Sequence, residues 1–163
     1  MRTKQIITSS VSGKLEPTVT PAQDYLAVRL ENLVTRKVIK SIHVSYVADT
    51  GGTVTSTEVR LGRVKVVTGL AEPSAGSLNL DPFSPDTQLP NASRVLFDQL
   101  VYNSRNFEFP EGLIIEPGST ATIIIGASVG EADSSSAPSA SLGYLSVVGE
   151  EYAPNWGKEP RPR

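Results

Sequence analysis

The sequence has no cysteine, one histidine, one methionine and one tryptophan in 163 residues. Without cysteine there is no disulfide scaffold, no thiolate metal site and no thiol nucleophile. A single histidine, His43, excludes any two-histidine metal site and narrows acid–base chemistry. Charge of one sign is also missing. Fifteen Lys+Arg stand against seventeen Asp+Glu, a formal charge of −2. That balance argues against a protein that works by coating nucleic acid. Long apolar runs are absent as well. Ile123–Ile125 is too short to span a bilayer, and Ile6–Ile7 is too short for a secretory h-region. The expectation is a chain made and kept in a cytoplasm, with no secretion signal, no direct membrane insertion and no cofactor. A length of 163 residues fits one domain that buries about two thirds of its unfolded surface.

The dominant period is two. Leu26, Val28 and Leu30 alternate with Ala27, Arg29 and Glu31. Ile42, Val44, Tyr46 and Ala48 alternate with His43, Ser45 and Val47. Such alternation marks half-buried strands. Further strands are expected at Ile6–Leu15, Thr53–Leu61, Val64–Leu70, Leu113–Ile115, Thr120–Ala127 and Leu142–Glu151. Val95–Tyr102 reads as a strand, with a short helix capped by Asn91 or Ser93 as the other reading. Asp49-Thr50-Gly51-Gly52 reads as a hairpin loop. Glu116-Pro117-Gly118-Ser119 reads as a type II turn, because Pro fixes φ at the second position and Gly accepts positive φ at the third. Gly62 reads as a bulge or a tight turn. Many short strands with Gly/Pro punctuation and no crossover helices give an all-β chain. We expect one antiparallel β-sandwich of about eight strands, jelly-roll-like, over residues 1–151. Residues 152–163, interrupted by proline, form an extended tail. Two long connections stand out: the proline-rich Ala71–Arg94 and the serine-rich Ser128–Ser141.

Charge is segregated along the chain. Residues 36–66 hold six cations and two anions, a net of +4. Residues 71–133 hold two cations and nine anions, a net of −7. If the two stretches occupy different surfaces, copies of the chain can pack basic face to acidic face. The simpler reading is a set of solvated strand faces. The residues singled out for an assembly interface are Arg36, Lys37 and Lys40 on the basic side and Glu108 and Glu111 on the acidic side. Three aromatics join them: Phe83 in the proline-rich connection, and Tyr152 and Trp156 in the tail. Trp is a common interface anchor.

Candidate chemistry is sparse. Gly126-Ala127-Ser128-Val129-Gly130 matches the G-x-S-x-G nucleophile elbow, which needs strand, turn and helix with an acid and a histidine after it. The residues after it make a poor helix, and His43 lies upstream. A small hydrolase using Ser128 or a carboxylate pair is therefore the least favoured reading. Asp81/Asp86, Glu108/Glu111 and Glu150–Glu151 lack the spacing of a calcium loop. Adjacent Glu150 and Glu151 point to opposite faces of a strand, against a paired-carboxylate catalyst. Asn91-Ala92-Ser93 is a glycosylation sequon in a chain without an export signal.

The stretch FEFPEGLIIEPGSTATIIIGAS, followed by a Ser-rich segment and GYLSVVGEEY, resembles the late strands of small bacteriophage capsid and head-decoration proteins. The resemblance is one of pattern over residues 95–151. It implies a non-enzymatic virion structural protein, found in the virion after assembly in the host cytoplasm. It also implies association with copies of itself and with other capsid proteins. A carbohydrate- or cell-surface-binding module on the same fold is the alternative, since fold alone does not separate the two.

Overall fold

The structure, a computed structural model, describes residues 4–16, 25–31, 34–50, 53–55, 59–69, 94–130 and 140–152. The described residues form ten strands and no helix. They are β1 (Lys4–Leu15), β2 (Tyr25–Glu31), β3 (Arg36–Thr50), β4 (Thr53–Thr55), β5 (Arg60–Thr68), β6 (Arg94–Tyr102), β7 (Ser104–Ile115), β8 (Thr120–Gly126), β9 (Val129–Gly130) and β10 (Ser141–Tyr152). One sheet runs β1-β10-β3, and the far side of β3 is shared by β7 and β4. The other runs β2-β8-β5-β6, with β9 beside β8 on β5. Every pairing is antiparallel.

Setting aside the short β4 and β9, the partners nest. The first strand pairs with the last, β2 with β8, β3 with β7, and β5 with β6. A long hairpin rolled across two sheets produces this order, which is the jelly roll. The expected eight-stranded sandwich is therefore present.

The core lies between the sheets. Ile39, Ile42, Val44, Leu145 and Phe107 from the first sheet meet Val28, Val64, Val66, Ile123 and Ile125 from the second. Burying an Ile, Leu or Phe of this kind contributes about 2 kcal/mol. Three phenylalanines close the side where β6 and β7 lie near one another. Phe97 meets Phe107 and Phe109 edge to face at 5.1 and 5.0 Å. Strict alternation fails in β5 and β8, because these two central strands of the second sheet are buried on both faces. Val67 and Ile124 make a small cluster on the face away from the core. Doubly covered strands read as continuous apolar runs, as Ile123–Ile125 does.

The strand expected at Val95–Tyr102 forms, because its backbone pairs with β5 from Leu61 to Val67. Other expectations are corrected. Thr53–Leu61 and Val64–Leu70 resolve into β4 and a β5 that runs straight through Gly62. Gly62 is neither bulge nor turn. A Cβ there would lie 2.3 Å from the Tyr46 ring, which crosses the core at that point. The ring's hydroxyl donates to the Gly126 carbonyl at 2.8 Å, in the opposite sheet. Leu113–Ile115 is the end of the twelve-residue β7. That strand passes Pro110 because residues 109–112 bulge from the ladder between the Ser41–Glu108 and Ile39–Leu113 pairs. The serine-rich connection is shorter than expected, since Val129–Gly130 pairs with β5 and Ser141 opens β10.

Two turns form as expected. Ser119 N donates to Glu116 O at 3.1 Å and Gly118 has φ 84°, a type II geometry. Thr50 pairs with Thr53, which closes the β3–β4 hairpin over two residues. A third corner carries no Gly or Pro. Asn103, with φ 54°, alone joins β6 of the second sheet to β7 of the first. Asn tolerates this left-handed conformation better than most residues.

Candidate functional site

The outward face of the first sheet is built by period two. On β10, Leu145 and Val147 enter the core while Leu142, Tyr144, Ser146 and Val148 face out. Register then sets cross-strand rows. Ser12, Tyr144, Ser45 and Ser104 form one row, and Ser10, Ser146, His43 and Asn106 the next. A third row holds Thr8, Val148, Ser41 and Glu108. The face is thus a field of hydroxyls and amides crossed by an apolar line. Leu142, Tyr144 and Val148 line up along β10 at 36–40% exposure, and Ile6 on β1 lies one position beyond at 70%. A shallow depression of about 260 Å³ lies beside Tyr144, lined by Thr8, Ser9, Ser10 and Ser146. The His43 and Tyr144 rings meet at 6.1 Å, so the lone histidine has a strand neighbour as its partner.

Charged groups collect at one end of this face. Register places Lys4 opposite Tyr152, Tyr152 opposite Arg36, and Glu151 opposite Lys37. Lys4 Nζ pairs with Glu150 at 2.7 Å, and the Tyr152 hydroxyl donates to the same carboxylate. These hydrogen bonds hold the Glu150 carboxyl below its usual range and push Lys4 and Tyr152 up. Glu151 turns the other way. It accepts from Thr35 Oγ1 at 2.6 Å and lies 3.6 Å from Lys37 Nζ. Lys37, nearly buried, also donates to the Glu31 carbonyl at 2.8 Å. Arg36 pairs with Glu116 at 2.9 Å, and Lys40 donates to the Pro110 carbonyl at 3.4 Å. Glu108 accepts from Asn106, and exposed Glu111 sits in the 109–112 bulge.

The structure therefore brings Arg36, Lys37, Lys40, Glu108, Glu111 and Tyr152 to one end of the first sheet. Phe83 and Trp156 lie outside the described residues, as do Asp81, Asp86 and Asn91. The +4 and −7 stretches are not separate surfaces where they are described. β3 carries the cations and lies between β10 and β7, so opposite charges meet within the subunit. The same holds on the second sheet. Asp98 accepts from Arg63 at 2.6 and 3.0 Å and lies 3.5 Å from Lys65.

Ser128 is fully buried between β8 and β9. Its hydroxyl accepts from Arg60 Nε at 3.0 Å, and its carbonyl accepts from the same guanidinium at 2.8 Å. Strand, bridge and strand stand where an elbow needs strand, turn and helix. His43 is in the other sheet and faces outward. The motif is a structural contact, which overturns the nucleophile reading. Among the described residues, no group of three or more His, Asp and Glu is placed to hold a metal ion.

Sequence reasoning missed the apolar line on β10, because Leu142 to Val148 is apolar on both phases. Gly143 carried the signal. It faces inward with Leu15, Leu26 and Ile125 packed against it, which puts Leu142 and Tyr144 outside.

No family model matches the chain, and no curated protein matches it. Three solved structures with some likeness are viral. Merkel cell polyomavirus VP1 in complex with the GD1a oligosaccharide is 11% identical, over 90% of this chain and 96% of that one, at a TM-score of 0.29. The same protein in complex with 3′-sialyllactosamine is 10% identical, with the same coverage and TM-score. The structure of infectious bursal disease virus Gt strain is 10% identical, over 98% of this chain and 43% of that one, at a TM-score of 0.18. The jelly-roll assignment rests on the strand order itself.

Proposed function

We propose that this chain is a virion structural protein, a self-associating capsid or capsid-decoration subunit of bacteriophage type with no catalytic activity. The observation that carries the reading is the line of exposed Ile6, Val148, Tyr144 and Leu142 on one sheet face, broken only by Ser146. Clustered exposed apolar residues mark interaction sites, whereas single exposed residues need no explanation. A jelly roll holds that line on hydrogen-bonded strands, so little order is lost on docking. Arg36, Lys40, Glu108, Glu111 and Tyr152 form the polar end of the proposed interface, with the nearly buried Lys37 behind them; Phe83 and Trp156, outside the described residues, are proposed with them on residue type alone. The partners are further copies of the chain and other capsid proteins, and the location is the virion. Sedimentation velocity over a concentration series, with electron microscopy of the associated fraction, tests this. Association that weakens when Tyr144 and Leu142 are replaced by Ser supports it. A monomer at every concentration overturns it.

A second reading has its own observation. The depression beside Tyr144 offers the hydroxyl side chains of Thr8 and Ser10 on β1 and Ser146 on β10 next to an exposed aromatic ring, a surface suited to a neutral saccharide. A monomer that binds a glycan panel, and loses binding in Tyr144→Ala, selects that reading instead.

A further inference from the structure

We infer that the free edge of β1 is a pairing site for the β1 of a second copy. The two strands would run antiparallel about a two-fold axis and join two first sheets into one. This rests on the self-association reading and names its contact.

A sheet edge presents a row of unpaired N–H and C=O groups, and natural proteins protect such edges with prolines, bulges, charged side chains or short strands. Three of the four outer edges carry such a device. β2 carries the exposed charged side chains of Arg29 and Glu31 along its seven residues. β6 has a register shift against β5 at Val66/Val67. β7 carries Pro110 and the 109–112 bulge. β1 carries none between Lys4 and Lys14. Its twelve residues pair with β10 without a single shift, from Lys4–Tyr152 to Leu15–Ser141. Among the described residues, no strand pairs with its other side. The strand has no proline, and no charged side chain points toward the core. Ile7, Ser9, Val11, Gly13 and Leu15 take the inward positions.

The occupant follows from strand composition and symmetry. β1 holds two lysines and no acid, so an unmodified second β1 brings like charges. Both lysines, however, are satisfied within their own subunit. Lys4 pairs with Glu150 at 2.7 Å, and Lys14 pairs with Glu16 and with Asp49 at 3.2 Å. Between them lies an uncharged run rich in Ile, Thr, Ser and Val, residues that pair well across antiparallel strands. A two-fold axis perpendicular to the sheet keeps the outward faces together. It therefore extends the hydroxyl-rich, apolar-lined face of one copy into that of the next, as an isologous contact requires.

Adjacent prolines test the edge. In an antiparallel ladder, successive residues turn their N–H alternately to one neighbour and the other. Of Ser9→Pro and Ser10→Pro, one removes a donor to β10 and lowers the melting temperature. The other removes only a free-edge donor, so it keeps the fold and weakens association about tenfold or more. Thr8→Lys, an exposed outward change beside the axis, keeps the fold by another route and weakens association in the same direction. Hydrogen exchange at high and low concentration supplies a direct readout. Alternate amides of β1 gain protection in the associated state. Wild-type association that is unchanged in the fold-keeping proline variant and in Thr8→Lys overturns the β1 contact and leaves self-association standing. A wild-type chain that stays monomeric overturns both.

Discussion

Asn103 and Arg60 clasp one another through two hydrogen bonds, one between backbones and one to the Asn103 side chain. Asn103 N donates to Arg60 O at 2.8 Å, and Arg60 N donates to Asn103 Oδ1 at 2.6 Å. The Asn103 carbonyl meanwhile accepts from Tyr46 N at 2.7 Å, in the other sheet. One residue thus ties β5 to β3 at the corner between the sheets. Asn103→Ala removes the acceptor from a sheltered N–H and puts a side chain with no αL preference at φ 54°. The expected loss is about 2–4 kcal/mol. Asn103→Gly keeps the backbone geometry and loses only the bond, so it should cost less. Urea denaturation of both variants gives the order, and an Ala variant as stable as the Gly variant contradicts the account.

Gly62 and Tyr46 are coupled by contact. The atoms that a Cβ at residue 62 would strike are Cε2, Cζ and the hydroxyl of Tyr46, the far half of the ring. Gly62→Ala should cost about 1–3 kcal/mol through overpacking. Tyr46→Leu lacks those atoms and leaves the Gly126 carbonyl without its donor. The double variant should therefore cost less than the sum of the two single changes, by about 1 kcal/mol or more. A thermodynamic cycle from denaturation curves measures that difference, and strict additivity contradicts the contact.

Ser128 supports stability through Arg60. Replacing it with Ala leaves a buried guanidinium N–H without this acceptor, at an expected cost of about 1–3 kcal/mol. Changing Arg60 to Met as well removes the donor. Replacing both members of a buried polar pair by apolar groups is often close to neutral, so Arg60→Met combined with Ser128→Ala should recover stability relative to Arg60→Met alone. Thermal melts of the three variants check the ordering.

The strand set was legible where one face meets the core and the other meets solvent, as in Leu26–Glu31 and Ile42–Ala48. It blurred in β5 and β8, where both faces are covered and period two disappears into Val66-Val67 and Ile123–Ile125. Position 103 gave no turn signal, since its corner depends on an Asn alone, without the Gly or Pro that marks the other turns. Gly62 was read as a break because an approach by Tyr46, sixteen residues earlier in the chain, is not a local property. The candidate site divided in the same way. Six of the eight candidate residues gather at one end of a sheet, which residue type alone did not foretell, because the ladder sets β3 beside β7 and β10. Their charges, however, are matched within the subunit, because a jelly roll pairs distant segments and places residues 36–40 between 108–116 and 150–152.

The Lys4–Glu150–Tyr152 group should make the end of β1 sensitive to pH. Glu150 is held low, first by the hydrogen bond from Lys4 and then by that from Tyr152. A depressed carboxylate contributes stability above its ordinary range and loses it as pH falls through the depressed value. Lys4 and Tyr152 are raised, each chiefly by its hydrogen bond to Glu150. Their contributions are complete below their ordinary ranges and are lost as pH rises through the raised values. The tie is therefore strongest across neutral pH and weakens on both sides. Because Lys4 pairs with Tyr152 at the very start of the ladder, loosening should appear as fraying of β1 and not as global unfolding. Hydrogen exchange of whichever of the adjacent Gln5 and Ile6 amides bonds to β10, corrected for its intrinsic pH dependence, should accelerate in acid in the wild-type chain. In Glu150→Gln the faster exchange should already be present at neutral pH and change little on acidification. Wild-type fraying independent of pH, or a Glu150→Gln profile that follows the wild type, contradicts this role for the carboxylate.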